Sequence, residues 1–127
     1  MPRVLLIEDE DFIRDSYKRE LTLEGFQTDI AANGKEGITL LSHNTYDLLL
    51  LDIMLPDTNG FEILRMVKAD PRHEKAIIVL LSNLGQDEVV KEGFKLGAEG
   101  YFIKASLTPQ EVVKELKNLL ANRQKQT

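Results

Sequence analysis

The stretch DLLLLDIMLPDTNG, residues 47–60, runs from four unbroken leucines into a carboxylate and then into a turn-rich loop. An apolar run without a polar break is the pattern of a parallel strand covered on both faces. It ends at Asp52, and Pro56, Asp57, Asn59 and Gly60 follow with turn chemistry. A single acid at such a place ordinarily just opens a turn. Whether Asp52 does more depends on what the rest of the chain puts beside it.

Three further apolar runs stand along the chain: VLLI (4–7), AIIVLL (76–81) and YFI (101–103). The segment FQTDIA (26–31) differs. It alternates Phe26, Thr28 and Ile30 with Gln27 and Asp29, so it reads as an edge strand with one wetter face. Helical patterns fill the gaps. Ile13, Tyr17 and Leu21 recur at four-residue spacing, and Gly25 supplies a stop. Capping-box starts stand at Asn33 with Glu36, at Asn59 with Glu62, and at Thr108 with Pro109 and Glu111. The third helix ends before Pro71, and the fourth carries Val90 and Phe94 and stops near Gly97. The last helix presents Val112, Val113, Leu116, Leu119 and Leu120. Its polar tail, from about residue 121 and including NRQKQT, is expected to fray.

Five strands alternating with five helices predict an α/β fold, a doubly wound parallel sheet of five strands with right-handed crossovers. Placing the second strand at an edge gives the flavodoxin-like order 2-1-3-4-5. Ligands then bind at the carboxyl ends of the strands, beside the switch point between strands 1 and 3. Over 127 residues there is no repeat, linker or shift of composition, so residues 1–127 are expected to form one domain.

Composition excludes several classes of function. The absence of cysteine rules out disulfides, thiolate metal sites and cysteine nucleophiles. A formal net charge of -5 disfavours direct nucleic-acid binding and attraction to anionic membranes. No apolar run is long enough for membrane insertion. The opening MPRVLLIED turns acidic too early for a signal peptide, so a cytoplasmic location is expected. His43 and His73 lie in polar stretches without a ligand-spaced partner and are given no role.

Four of the five strand ends carry a reactive side chain. Strand 1 ends in Glu8 and Asp9, strand 3 in Asp52 and strand 4 in Ser82, and Lys104 follows strand 5. The predicted order gathers them at one rim. Two unit charges 4 Å apart repel by about 4 kcal/mol at an effective dielectric near 20. Such a cluster either raises its pKa values or recruits a cation. Oxygen ligands with no His or Cys nearby favour a hard ion such as Mg²⁺. With a spare carboxylate and a lysine, an Mg²⁺ site is suited to receiving a phosphoryl group, giving an aspartyl phosphate.

LLIEDE (5–10), LLLLDIMLPDTNG (48–60), VLLSN (79–83) and GAEGYFIK (97–104) stand in order at these strand ends. Together they resemble the receiver domain of bacterial two-component response regulators, in its stand-alone, chemotaxis-type form. The resemblance covers residues from about 3 to 120. It implies that Asp52 is the phosphoacceptor, that Asp9 binds Mg²⁺ directly and that Glu8 acts through a coordinated water. It implies a further metal ligand in the Met54 carbonyl and a phosphoryl partner in Lys104. Ser82 would turn its hydroxyl onto the phosphoryl group, and Tyr101 would swing as the loop after strand 4 moves. Pro56 and Gly60 would shape the loop after the acceptor. The donor would be a histidine kinase or phosphotransfer protein. A downstream protein partner would read the face made by helix 4, strand 5 and helix 5. Such a protein is a phosphoacceptor switch rather than an enzyme. No effector segment follows residue 127, so output through partners, self-association or onward phosphotransfer is expected.

The sequence departs from that pattern in three places. Glu8 stands where Asp is commoner. Ala105 follows Lys104 where the family usually has Pro after a cis bond. A cis bond before Ala costs about 3 kcal/mol. A trans bond, or a strained cis bond held by its surroundings, is therefore expected. Asn83 is larger than the usual residue, and with Met54 it is expected to narrow access for the hydrolytic water. Plainer readings stand beside each role: Asp9 as a helix cap, Asp52 as a turn opener, Ser82 as a local hydrogen-bonding residue, Tyr101 as packing, Lys104 as a solvated charge. Asp57 and Asn59 are taken as turn and cap residues. Singly these compete well; jointly they demand five coincidences at one rim. Two other functions are weighed. One is a pseudo-receiver that acts as a phosphorylation-independent interaction module. The other is a flavin or nucleotide protein, but the EDED loop would repel phosphate and no glycine-rich fingerprint is present.

Overall fold

The computed structural model of the chain describes residues 1–125. Strands and helices alternate: β1 (Arg3–Ile7), α1 (Asp11–Leu23), β2 (Gln27–Ala31), α2 (Gly34–His43), β3 (Leu48–Leu51), α3 (Gly60–Ala69), β4 (Ile77–Ser82), α4 (Asp87–Lys95), β5 (Gly100–Ile103) and α5 (Pro109–Lys125). A single 3₁₀ turn, Pro71–His73, follows α3. The five strands form one parallel sheet in the order β2-β1-β3-β4-β5, as the edge character of residues 26–31 predicts.

The unbroken apolar runs feed two cores. Strand side chains alternate between faces. Leu5, Ile7, Leu49, Leu51, Ile78 and Leu80 pack with Leu41 of α2 and Ile63, Leu64 and Val67 of α3. Val4, Leu6, Leu48, Leu50, Ile77 and Val79 pack with Tyr17 and Leu21 of α1 and Val112, Val113 and Leu116 of α5. Burying each such side chain contributes roughly 1.5–3 kcal/mol. A one-residue slip of a strand would exchange the two sets and shift its terminal side chain along the rim. Core packing therefore fixes the register that positions the site.

That register aligns the carboxyl ends. Ile7 pairs with Leu51, Leu51 with Leu80, and Ser82 with Ile103. The Glu8 amide donates to the Ala31 carbonyl at 3.0 Å and the Asp52 amide to the Ile7 carbonyl at 3.0 Å. The Lys104 amide donates to the Ser82 carbonyl at 2.9 Å. Glu8, Asp52, Ser82 and Lys104 thus leave the sheet at the same edge.

The helix ends follow their signals unevenly. The box on α5 is complete: the Thr108 amide donates to Glu111 Oε1 at 2.9 Å, and the Glu111 amide to Thr108 Oγ1 at 3.2 Å. On α2, Asn33 Oδ1 accepts from the Glu36 amide at 2.8 Å, while the Glu36 carboxylate reaches the Ala32 amide at 3.4 Å instead of that of Asn33. On α3 only half a box forms. Asn59 accepts from Phe61, and Glu62 pairs with Arg65 one turn on, a competing ion pair at i,i+3. Gly25 and Gly97 end α1 and α4 at φ of 91° and 108°, the left-handed conformation that favours glycine.

At the C-terminal end α5 continues to Lys125, and Arg123 pairs with Glu99 and donates to the Lys75 carbonyl at 3.4 Å. The last two residues of NRQKQT lie outside the described residues. His73 is buried despite its polar sequence neighbours, with Nε2 3.0 Å from the Leu41 carbonyl. Among the described residues, no helix is long and apolar enough to cross a membrane.

Candidate functional site

Glu8, Asp9 and Asp52 each offer a carboxylate oxygen, and the three oxygens lie within 4.8 Å of one another. Glu8 and Asp52 are buried, and Asp9 is exposed. Lys104 closes the group from the end of β5. Its Nζ stands 2.5 Å from Glu8 Oε1 and donates to Asp52 Oδ2 at 2.8 Å. Asp52 Oδ1 accepts from the Met54 amide at 3.2 Å, and Glu8 Oε2 accepts from the Glu10 amide at 3.0 Å. Asp52 is thus both a turn opener and a member of the cluster.

Lys104 is shared between two buried carboxyls, and their titration reflects that burial. Burial raises the Asp52 carboxyl above its ordinary value, against the opposing pull of Lys104. Burial likewise pushes Glu8 up to about 7, only partly opposed by Lys104. For Lys104, burial acts downward, but contacts with Asp52 and Glu8 outweigh it and hold the ammonium above its ordinary value. An under-neutralised, all-oxygen cluster fits a hard divalent cation. Glu8 Oε1, fully buried, has no hydrogen bond and meets Lys104 only as an ion pair.

The surrounding residues fix these side chains. The cap of α1 is Glu10, which makes no side-chain cap bond, so Asp9 does not act as the helix cap. Arg14, one turn into α1, donates to the carbonyls of Glu8 at 3.0 Å and Asp9 at 3.4 Å and to Asp11 Oδ1 at 2.6 Å. Arg14 was not among the residues predicted for the site. Its only signal is a lone basic residue just after the acidic EDED run. Met54 forms an isolated antiparallel bridge with Asn59 and is 64% exposed. A Cβ at Gly60 would strike the Asp52 carbonyl oxygen and the Ile53 backbone, so only glycine lets α3 begin this close to Asp52.

Ser82 and Tyr101 converge on one residue. Ser82 Oγ accepts from the Leu84 amide at 3.1 Å, and the Tyr101 hydroxyl donates to the Leu84 carbonyl. The local hydrogen-bonding reading of Ser82 therefore describes this state. Tyr101 is half-buried, and burial raises its hydroxyl pKa. Beside them, Asn83 Oδ1 accepts from the Ala105 amide at 3.0 Å. That donor exists because residue 105 is not proline. No peptide among the described residues is cis, so the Lys104–Ala105 bond is trans, one of the two expected forms.

The sequence matches the response regulator receiver domain family over residues 4–117. The chain belongs to that family. Its fold is similar to a CheY-like receiver domain protein from Methanospirillum hungatei JF-1, with a TM-score of 0.91 and 27% identity over 100% of this chain and 99% of that one. It is also similar to the chemotaxis response regulator CheY4 of Vibrio cholerae, with a TM-score of 0.86 and 26% identity, covering 93% of this chain and 98% of that one. The transcriptional regulatory protein SrrA of Staphylococcus aureus is 36% identical over 124 residues, 98% of this chain and 50% of SrrA. The receiver chain thus spans half the length of that relative. It is the receiver domain of a response regulator from a two-component system.

Proposed function

We propose that this receiver domain is an Mg²⁺-dependent phosphoacceptor switch, with residues 1–127 acting as one unit and Asp52 taking the phosphoryl group. The observation that carries the reading is the approach of carboxylate oxygens of Glu8, Asp9 and Asp52 to within 4.8 Å of one another, with Lys104 paired to Glu8 and Asp52. Asp9, Asp52 and the Met54 carbonyl would hold Mg²⁺, with Glu8 acting through water, and the ion would offset charge on the phosphoryl oxygens.

The donor is a phosphohistidine of a histidine kinase or phosphotransfer protein. A carboxylate oxygen of Asp52 forms the new O–P bond as the donor's P–N bond breaks, and the imidazole leaves with the electron pair and takes up a proton. Lys104, already 2.8 Å from Asp52 Oδ2, exchanges that contact for a phosphoryl oxygen. The new group adds about -1.5 to -2 charges. Ser82 Oγ then gives up the Leu84 amide and donates to a phosphoryl oxygen. Because Tyr101 hangs on the Leu84 carbonyl, the two side chains and the β4–α4 loop move together. The face of α4, β5 and α5 changes as a result. Phe94, 48% exposed on α4, gives a downstream protein partner an apolar foothold there. The two states form a population shift, set by the differential stability of the phosphorylated form. The domain acts in the cytoplasm and, with a net charge of -5, makes no direct contact with nucleic acid.

Incubation with Mg²⁺ and acetyl phosphate, followed by mass spectrometry, tests this reading. Wild-type protein gains one phosphoryl group and Asp52→Asn gains none. Absence of an Asp52-dependent gain in wild type would favour the pseudo-receiver alternative.

A further inference from the structure

The loop between Asp52 and α3 is tied at its base and at its tip. At the base, the Gly60 amide donates to the Ile53 carbonyl at 2.6 Å, and Met54 pairs with Asn59. At the tip, Asp57 reaches another element. Its Oδ1 accepts from the Gly34 amide at 2.8 Å and its Oδ2 from the Lys35 amide at 2.9 Å. These are the first two N–H groups of α2, and Asn33 takes the third, from Glu36. The start of α2 is therefore capped from two sides, by its own Asn33 and by the acceptor loop.

Gly34 is built for this contact. A Cβ there would collide with the Thr58 methyl and stand 3.1 Å from Asp57 Oδ1, so any larger residue would displace side chains of the loop tip. The two amide contacts also hold the Asp57 carboxyl below its ordinary value, so it stays ionised against the positive end of the helix.

We propose that Asp57 is a positioning residue for phosphoryl transfer, anchoring the loop tip to α2 and thereby holding the Met54 amide and carbonyl beside Asp52. The proposal rests on the reading of Asp52 as acceptor. The Met54 amide donates to Asp52 Oδ1, so the loop's seat determines which way the Asp52 carboxylate faces. With base and tip both fixed, Met54 has little freedom; with the tip released, only the base restrains it.

The test uses the full chain and three variants, with Mg²⁺ affinity from calorimetry, acetyl phosphate kinetics from mass spectrometry and thermal melts from circular dichroism. Asp57→Ala weakens Mg²⁺ binding and slows phosphorylation of Asp52, each by about tenfold, the low end of what residues orienting metal ligands contribute. Asp57→Asn keeps one acceptor oxygen and recovers part of both. Asn33→Ala strips the other cap from the same helix end, so it lowers the melting temperature but leaves both site measurements at wild-type values. Asp57→Ala equal to wild type in both measurements overturns the proposal alone, as does Asn33→Ala impairing them equally. Wild-type protein that accepts no phosphoryl group overturns the acceptor reading, and this proposal with it.

Discussion

Replacing Lys104 with methionine removes one charge from the most crowded part of the molecule while keeping most of the side chain's length. Its Nζ stands 2.5 Å from Glu8 and 2.8 Å from Asp52, and all three side chains are at least nine-tenths buried. Removing one partner of a buried ion pair costs about 3–5 kcal/mol, because the remaining charge loses its compensation. The low end applies here, since Glu8 already titrates near 7 and can take up a proton instead of standing as a bare charge. A loss of about 3 kcal/mol corresponds to a fall in melting temperature of roughly 12 °C for a domain of this size. The deficit grows with pH. Without the ammonium, both carboxyls rise further above their unfolded values, so the stability they contribute is present at low pH and lost as pH rises. Mg²⁺ then binds more tightly, because the competing cation is gone. Phosphorylation by acetyl phosphate nevertheless slows by about 10²-fold or more even at saturating Mg²⁺, the scale of losing one charge-stabilising donor. Melting curves from pH 5 to 8, calorimetric Mg²⁺ titration and mass-spectrometric kinetics make these measurements. A Lys104→Met protein that phosphorylates at the wild-type rate in saturating Mg²⁺ would refute the role drawn for the ammonium. A melting temperature unchanged at pH 8 would refute the buried-pair energetics.

Four further outcomes follow from the geometry. Glu8, held near 7 in the fold against 4.5 unfolded, contributes stability that is complete below pH 4.5 and lost as pH rises through about 7. The metal-free protein should therefore melt lower at pH 8 than at pH 5, Mg²⁺ affinity should climb across pH 6–8, and Glu8→Gln should flatten both trends; equal slopes in that variant would sink the assignment. Asn83→Ala releases the Ala105 amide and widens the approach to Asp52, so the phosphorylated form should lose its group faster than wild type in a chase after acetyl phosphate is removed; equal or slower loss counts against the shielding role. Gly60→Ala drives a methyl into the Asp52 carbonyl and the Ile53 backbone and should reduce both Mg²⁺ affinity and phosphorylation, whereas a wild-type titration would mean that the loop accommodates it. Thr108→Ala removes the α5 cap acceptor and should cost about 1 kcal/mol in urea unfolding without altering phosphorylation kinetics.

The fold was legible because its signals are local. A strand buried on both faces needs an uninterrupted apolar run, and residues 48–51 and 77–81 supply one in the chain itself. Residues 26–31 signalled an edge position through their polar–apolar alternation in the sequence, and β2 is an edge strand. The acidic trio was legible at one remove. Three acids sit at strand ends, and sheet order alone brings strand ends together. Contacts that depend on side chains meeting across the chain left no such mark. Asp57 looked like a turn residue because its partners, Gly34 and Lys35, lie more than twenty positions earlier. Nothing near Asn83 marks its bond to Ala105. Glu62 fitted a capping box by spacing, but spacing does not show that Arg65 competes for it. The α5 tail looked free because its tether, Glu99, lies 24 residues upstream.

On the proposed function, a buried strand finishes on Asp52 because the site is to work by being short of positive charge. An isolated buried carboxylate would protonate or destabilise the fold. Here Lys104 bridges Glu8 and Asp52, one ammonium between two buried carboxyls, and burial raises both carboxyls against its pull. On the proposed reading, a divalent cation would relieve that shortage, and phosphoryl transfer would draw Lys104 from the carboxylates onto the new group. The ammonium that bridges the resting site would then be the one the activated site redirects. Ser82 would make a parallel exchange, since its hydroxyl would have to leave Leu84 to reach the phosphoryl group, and Leu84 is where Tyr101 is fastened. Charge at one rim would thereby be converted into movement on the α4–β5–α5 face through two exchanged contacts.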